Sequence, residues 1–215
     1  MKSTTALRIA IDKAPIVPVL TVHDVTHAAP LAEALVSGGL TTAEITLRTP
    51  AALEVISAFR KHAPDLIVGA GTIVSAGDVN SALDAGAEFL ISPGSSPALI
   101  EALSEHDGAI LPGVATASEA MSRFDEGYGT LKFFPAEVSG GAKFLKSVAA
   151  PLPHIDFIPT GGITPGNMRD YLSLPNVIAV GGSWIVTQED LSNGDWAAIA
   201  DKARHAASIA RKVHH

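Results

Sequence analysis

The chain has 215 residues, 47% of them apolar and 17% charged, with a formal charge of -7 and no cysteine. That length and apolar content suit one well-cored domain of residues 1–215 and exclude a disordered chain. The missing cysteines rule out disulfides and thiolate metal sites, and the acidic balance argues against a nucleic-acid partner while leaving room for a small anionic ligand.

No apolar run approaches the roughly 18 residues that cross a bilayer, and the N-terminus MKSTTALRIAIDKAP lacks a signal-peptide core. The expectation is a cytoplasmic protein without membrane contact. Residues 1–14 read as a short helical extension. One unit then repeats: a short apolar run, a turn rich in Gly, Pro and Thr, and an alanine-rich amphipathic stretch. The strand-like runs are 16–20, 43–47, 66–70, 88–92, 109–112, 130–134, 156–160 and 177–180, recurring about every 20 to 27 residues. Helix-like stretches cover 27–37, 51–62, 78–85, 97–105, 118–126 and 196–212, and residues 213–215 read as a solvated tail or tag stub. Eight strand–helix units in this length predict a single (β/α)8 TIM barrel. An open doubly wound sheet is the alternative, but no GxGxxG turn follows its first strand.

In such a barrel the chemistry sits at the C-terminal ends of the strands. Lys132 is the first candidate. Side chains alternate across a strand, so in Thr130-Leu131-Lys132-Phe133-Phe134 the apolar Leu131 and Phe133 take the helix-covered face. Lys132 and Phe134 then face the lumen. A buried lysine needs a reason. An imine-forming amine is one, because its charge is penalised by apolar or cationic neighbours, here Phe134 and, if close, Arg48. A lysine on an edge strand, or one snorkelling to solvent, is the plainer alternative.

The same alternation in Ala43-Glu44-Ile45-Thr46-Leu47-Arg48 sends Glu44, Thr46 and Arg48 toward the lumen. Glu44 suits proton transfer and Arg48 suits a carboxylate, unless the two form a structural ion pair. Thr72, in Gly69-Ala70-Gly71-Thr72, reads either as a hydrogen-bond donor beside Arg48 or as a turn residue. Gly161-Gly162 and Gly182-Ser183 close the last two strands, where barrels build phosphate sites. Ser183–Val186 is predicted to be the short helix that completes that site. Pro93 shapes a pocket wall or stiffens a loop. His23 and His27 have the spacing of metal ligands but no third partner, so no metal is expected.

These segments resemble a known family. Gly39–Arg48 is similar to the active-site glutamate motif of the 2-keto-3-deoxy-6-phosphogluconate (KDPG) aldolases, also called 4-hydroxy-2-oxoglutarate aldolases. Gly127–Gly140, containing Leu131-Lys132-Phe133-Phe134-Pro135-Ala136, resembles that family's Schiff-base lysine motif. Gly-Ala-Gly-Thr, Ser-Pro-Gly, Pro-Thr-Gly-Gly-Ile and Gly-Gly-Ser-Trp follow in the family's order, and the likeness runs from Ile16 to Val186. The resemblance implies a class I aldolase on a TIM barrel, homotrimeric and without metal or other cofactor. It implies cleavage of a phosphorylated 2-keto acid to pyruvate and glyceraldehyde 3-phosphate, a step of the Entner–Doudoroff pathway. Lys132 would form the imine, with Glu44 as general acid and base. Arg48 and Thr72 would hold the carboxylate, and Gly161, Gly162, Gly182 and Ser183 the phosphate. Pro93 and Phe134 would line the pocket.

Two other functions fit the same barrel: a phosphosugar isomerase or epimerase using Glu44 as base, and a non-catalytic phosphosugar-binding protein. Neither needs an imine on Lys132.

Overall fold

The computed structural model describes residues 4–213. His214 and His215, in the expected solvated tail, and the first three residues of the expected N-terminal extension lie outside them. Apolar alternation builds the architecture. Strands β1 (Ile16–Leu20), β2 (Thr42–Thr46), β3 (Ile67–Gly71), β4 (Phe89–Ile91), β5 (Ala109–Leu111), β6 (Gly113–Val114), β7 (Thr130–Phe133), β8 (Asp156–Pro159) and β9 (Val180–Gly182) pair in parallel throughout. They form two hydrogen-bonded runs, β5-β4-β3-β2-β1-β9 and β6-β7-β8. Bridges from Phe157 to Val177 and from Thr160 to Gly181 join β8 to the β9 segment. Pro112, which lacks a ladder N–H, is all that separates β5 from β6. The strands therefore occupy eight positions of a (β/α)8 barrel, as the repeat predicts.

Odd and even residues of each strand enter different cores. Ile16, Ala43, Ile45, Leu90, Ile110, Leu131, Phe133 and Phe157 join the layer beneath the helices. Val17, Phe89, Ile91, Ala109, Leu111, Ile158 and Ala179 fill the lumen. The covering helices are α2 (Ala28–Ser37), α3 (Ala52–His62), α4 (Ala76–Asp84), α5 (Pro97–Ser104), α6 (Ala117–Asp125), α7 (Gly141–Val148), α8 (Met168–Leu172), α9 (Gln188–Asn193) and α10 (Trp196–Val213). Ser75, Ser96, Thr116 and Thr187 cap the helices that follow them with side-chain oxygens.

Helix α1 (Thr5–Lys13) realises the expected extension and closes the lower mouth of the barrel. Its Leu7 and Ile11, one turn apart, are buried in the lumen core, and Arg8 pairs with Asp156 of β8 at 2.6 Å.

Two expectations at the C-terminal end need correcting. Ser183–Val186 is a turn, and the helix begins only at Gln188. The hydroxyl of Thr187 accepts from the Asp190 N–H while the Asp190 carboxylate accepts from the Thr187 N–H, a capping box that sets the start. Ile185 and Val186 are buried, so the turn is tied down by core packing. The last strand is Val180–Gly182, not 177–180; Val177 makes only the isolated bridge to Phe157.

Candidate active site

β2 and β7 stand on opposite sides of the ring, so their lumen-facing side chains meet across it. Lys132 Nζ donates to Glu44 Oε1 at 3.0 Å, and both residues are buried, at 4% and 1% exposure. Two charges removed this far from water persist only as a pair, because either alone would carry a desolvation penalty of several kcal/mol. The ammonium also lies 5.2 Å from the centre of the Phe134 ring, on the same side of its strand.

Glycines on β3 make the space. A Cβ on Gly71 would sit 2.0 Å from Glu44 Oε1, and one on Gly69 would sit 2.2 Å from the Phe89 ring. The repeated Gly-x-Gly thus admits an aromatic ring at one level and a carboxylate at the next. Immediately beyond, Thr72 adopts φ 63°. That left-handed conformation costs a β-branched residue on the order of 1–3 kcal/mol and concentrates at functional sites. Arg48 Nε donates to Thr72 Oγ1 at 3.1 Å, which joins the two residues at the rim above the Lys132–Glu44 pair. Arg48 is exposed and Thr72 half-buried, so both remain open to a ligand. Thr46 shares the lumen face, but its hydroxyl is engaged by the Leu20 carbonyl at 2.8 Å and the Thr21 hydroxyl at 3.0 Å.

The bridge between Thr160 and Gly181 brings Gly161-Gly162 beside Gly182-Ser183. Gly161 and Gly162 both have positive φ, 100° and 79°, which reverses the chain just past β8. Gly182 ends β9 under the Trp184 ring, where a Cβ would stand 2.5 Å from a ring carbon. Ser183 follows it, exposed. Pro93 is half-buried, and a Cβ on Gly113 would fall 2.4 Å from its carbonyl carbon, so strand β6 passes hard against it. The rings of His27 and Trp196 meet in a T-shaped arrangement with centroids 5.5 Å apart.

The order of these segments matches one family model, described as KDPG and KHG aldolase, over residues 8–202. The chain belongs to that family. It is an aldolase, a lyase on a (β/α)8 barrel, as the motif resemblance implies. It is 47% identical to the 2-dehydro-3-deoxy-phosphogluconate aldolase of Pseudoalteromonas atlantica over 93% of each chain. Among solved structures, the KDPG aldolase of Legionella pneumophila, with pyruvate captured at low pH as a covalent carbinolamine, is 39% identical with a TM-score of 0.91. The match covers 96% of this chain and 100% of that one. The Zymomonas mobilis ZM4 aldolase, solved with 3-phosphoglycerate, is 41% identical with a TM-score of 0.91, covering 99% and 100%.

Alternation within a strand was enough to nominate Lys132 and Glu44. Contacts from Glu137 and Asn167 to the glycine turn, and from Tyr171 to Glu137, were missed. Glu137 lies within the Lys132 motif Gly127–Gly140, yet nothing in the pattern ties it to a tyrosine 34 positions later.

Proposed function

We propose that this chain is a class I aldolase that reversibly cleaves KDPG to pyruvate and glyceraldehyde 3-phosphate through an imine on Lys132. The observation that carries this reading is the buried contact of 3.0 Å between Lys132 Nζ and Glu44 Oε1 at the top of the lumen. Transfer of the ammonium proton to Glu44 along that hydrogen bond frees the amine to attack the C2 carbonyl. Glu44 returns its proton to the carbinolamine hydroxyl, which leaves as water to give a protonated imine and restores the Glu44 carboxylate. Glu44, acting through a water, takes the C4 hydroxyl proton as the C3–C4 bond breaks. The electron pair of that bond moves into the imine as an enamine, and the aldehyde leaves. Protonation of the enamine at C3 and hydrolysis release pyruvate and restore Lys132. The imine is the electron sink, so this route asks no metal or other cofactor of the protein.

Arg48 and Thr72 hold the substrate carboxylate, with the guanidinium supplying charge and the Thr72 hydroxyl direction. Gly161, Gly162, Gly182 and Ser183 take the phosphate at the end of the barrel where backbone N–H groups converge. Phe134 and Pro93 form the walls. The names of the relatives support KDPG as substrate. The family's joint description supports 4-hydroxy-2-oxoglutarate, cleaved to pyruvate and glyoxylate, as a second one. We further propose that residues 1–215 work as one barrel domain, in a homotrimer, in the cytoplasm; light scattering on the purified protein measures the assembly.

The test is to incubate the protein with pyruvate, add sodium borohydride, and map the product. A reduced pyruvyl adduct confined to the Lys132 peptide, with loss of cleavage in proportion, is the expected result. Absence of an adduct, with activity untouched by borohydride, would overturn the Lys132 assignment and favour an isomerase using Glu44 as base.

A further inference from the structure

The turn that carries Gly161 and Gly162 is clasped from behind by residues that the proposed mechanism does not use. The Glu137 N–H donates to the Gly161 carbonyl at 3.1 Å, and the Ala136 N–H donates to the Thr160 carbonyl at 2.8 Å. Asn167 grips the other side. Its Nδ2 donates to the Gly162 carbonyl at 3.0 Å and its Oδ1 accepts from the Thr164 N–H at 2.8 Å. Gly162 also lies flat on the side chain of Glu137, since an added Cβ would fall 2.5 Å from Glu137 Cγ and 2.7 Å from its Cβ. The position of that side chain therefore sets the position of the turn.

Glu137 is itself exposed, and a free glutamate would spread over several rotamers. It is held by Tyr171 of α8, whose hydroxyl donates to Glu137 Oε1. Tyr171 is 1% exposed, and its oxygen in turn accepts from the Ala142 N–H at the start of α7. Burial first, then the Glu137 carboxylate, pushes the phenol pKa well up, so the hydroxyl keeps its proton as the donor of this link. One chain of contacts runs from the first turn of α7 through Tyr171 and Glu137 to Gly162. The carboxylate of Glu137 already neutralises that helix end, which argues that the device orients the turn and does not itself receive an anion.

We propose that Glu137, locked by Tyr171, is a positioning residue that sets affinity for the phosphate end of the substrate without taking part in the chemistry at Lys132. The inference rests on the assignment of Gly161 and Gly162 to phosphate binding. A bare staple between α7 and α8 would be felt equally by every substrate or only in stability. A positioning role is felt at the phosphate alone.

The test uses the full chain and the variants Tyr171→Phe, Glu137→Ala and Glu137→Gln. Three quantities are measured: KM and kcat with KDPG, the calorimetric affinity for inorganic phosphate, and the rate of borohydride trapping of pyruvate on Lys132. Tyr171→Phe and Glu137→Ala should raise KM and weaken phosphate binding by about fivefold or more, the scale of one lost hydrogen bond. Their kcat and trapping rate should stay within about twofold of wild type, a change too small to count as a lost hydrogen bond. Glu137→Gln, which keeps an acceptor for Tyr171, should recover most of the loss. Unchanged KM and phosphate affinity in Tyr171→Phe and Glu137→Ala would overturn the proposal, as would equal loss in trapping. Failure of the wild-type protein to trap pyruvate would instead count against the imine mechanism. The phosphate titration still reads the role of Glu137 in that case, and wild-type protein that binds no phosphate would overturn it.

Discussion

The two glycines of β3 face the same lumen one step apart and serve different ends. Gly69 makes room for the Phe89 ring, in the apolar layer that α1 seals with Leu7 and Ile11. Gly71 makes room for the carboxylate of Glu44, which reaches Lys132 across the barrel. The lower layer is filled to stabilise, and the upper layer accepts a buried ion pair that an apolar pair of similar size would match or exceed in stability. A charge pair kept where packing would do better supports the proposal that function sits in the upper layer.

The largest expected effect breaks the upper layer outright. Lys132→Met should abolish the pyruvate adduct and lower kcat by about 10⁴-fold or more, as loss of a covalent nucleophile does, measured by steady-state assay and intact mass. Gly71→Ala comes next. The new methyl displaces Glu44, so kcat should fall about 100-fold, the scale of a displacement of roughly 1 Å, with a smaller change in melting temperature. Gly69→Ala is the matching change below. It presses on Phe89 and should cost about 1–3 kcal/mol by urea unfolding, while the kcat of the folded protein stays near wild type. If Gly69→Ala harms kcat as much as Gly71→Ala, the two layers are not separable.

The smallest effect lies outside both layers. Burial raises the pKa of the Asp190 carboxyl, but hydrogen bonds from Lys202, from the Thr187 hydroxyl and from the Thr187 N–H outweigh it and hold the pKa below the ordinary 3.8. A depressed carboxyl stabilises the fold above its unfolded value, and that stabilisation is lost as pH falls through the folded one. Wild type should therefore lose about 1 kcal/mol or less relative to Asp190→Asn as pH drops below about 4, read from paired melting curves.

Much of this was legible in one dimension. Period-2 alternation placed Leu131 and Phe133 under the helices and Lys132 in the lumen, because a pleated strand leaves a side chain only two faces. The eight-unit repeat predicted the barrel, and β1 falls on the residues expected, 16–20. The sequence motifs also identified the family. Failures came where local pattern and long-range packing compete. Ser183–Val186 has apolar residues enough for a helix, yet burial of Ile185 and Val186 and the Thr187 cap hold it as a turn. Leu7 and Ile11 carry the spacing of an amphipathic helix, but no local rule says that their partner is the floor of a barrel.

By itself, then, the sequence determined which residues share a strand face, where turns must fall, and which family's motifs the chain carries. Those properties follow from backbone geometry and from contacts within a few residues. Only the tertiary structure decided that β2 and β7 stand opposite each other. The pairing of Glu44 with Lys132 depends on that closure, and the link from Glu137 through Tyr171 depends on the packing of α8 against α7. Closing the ring brings together residues 88 positions apart, a distance over which no local preference acts.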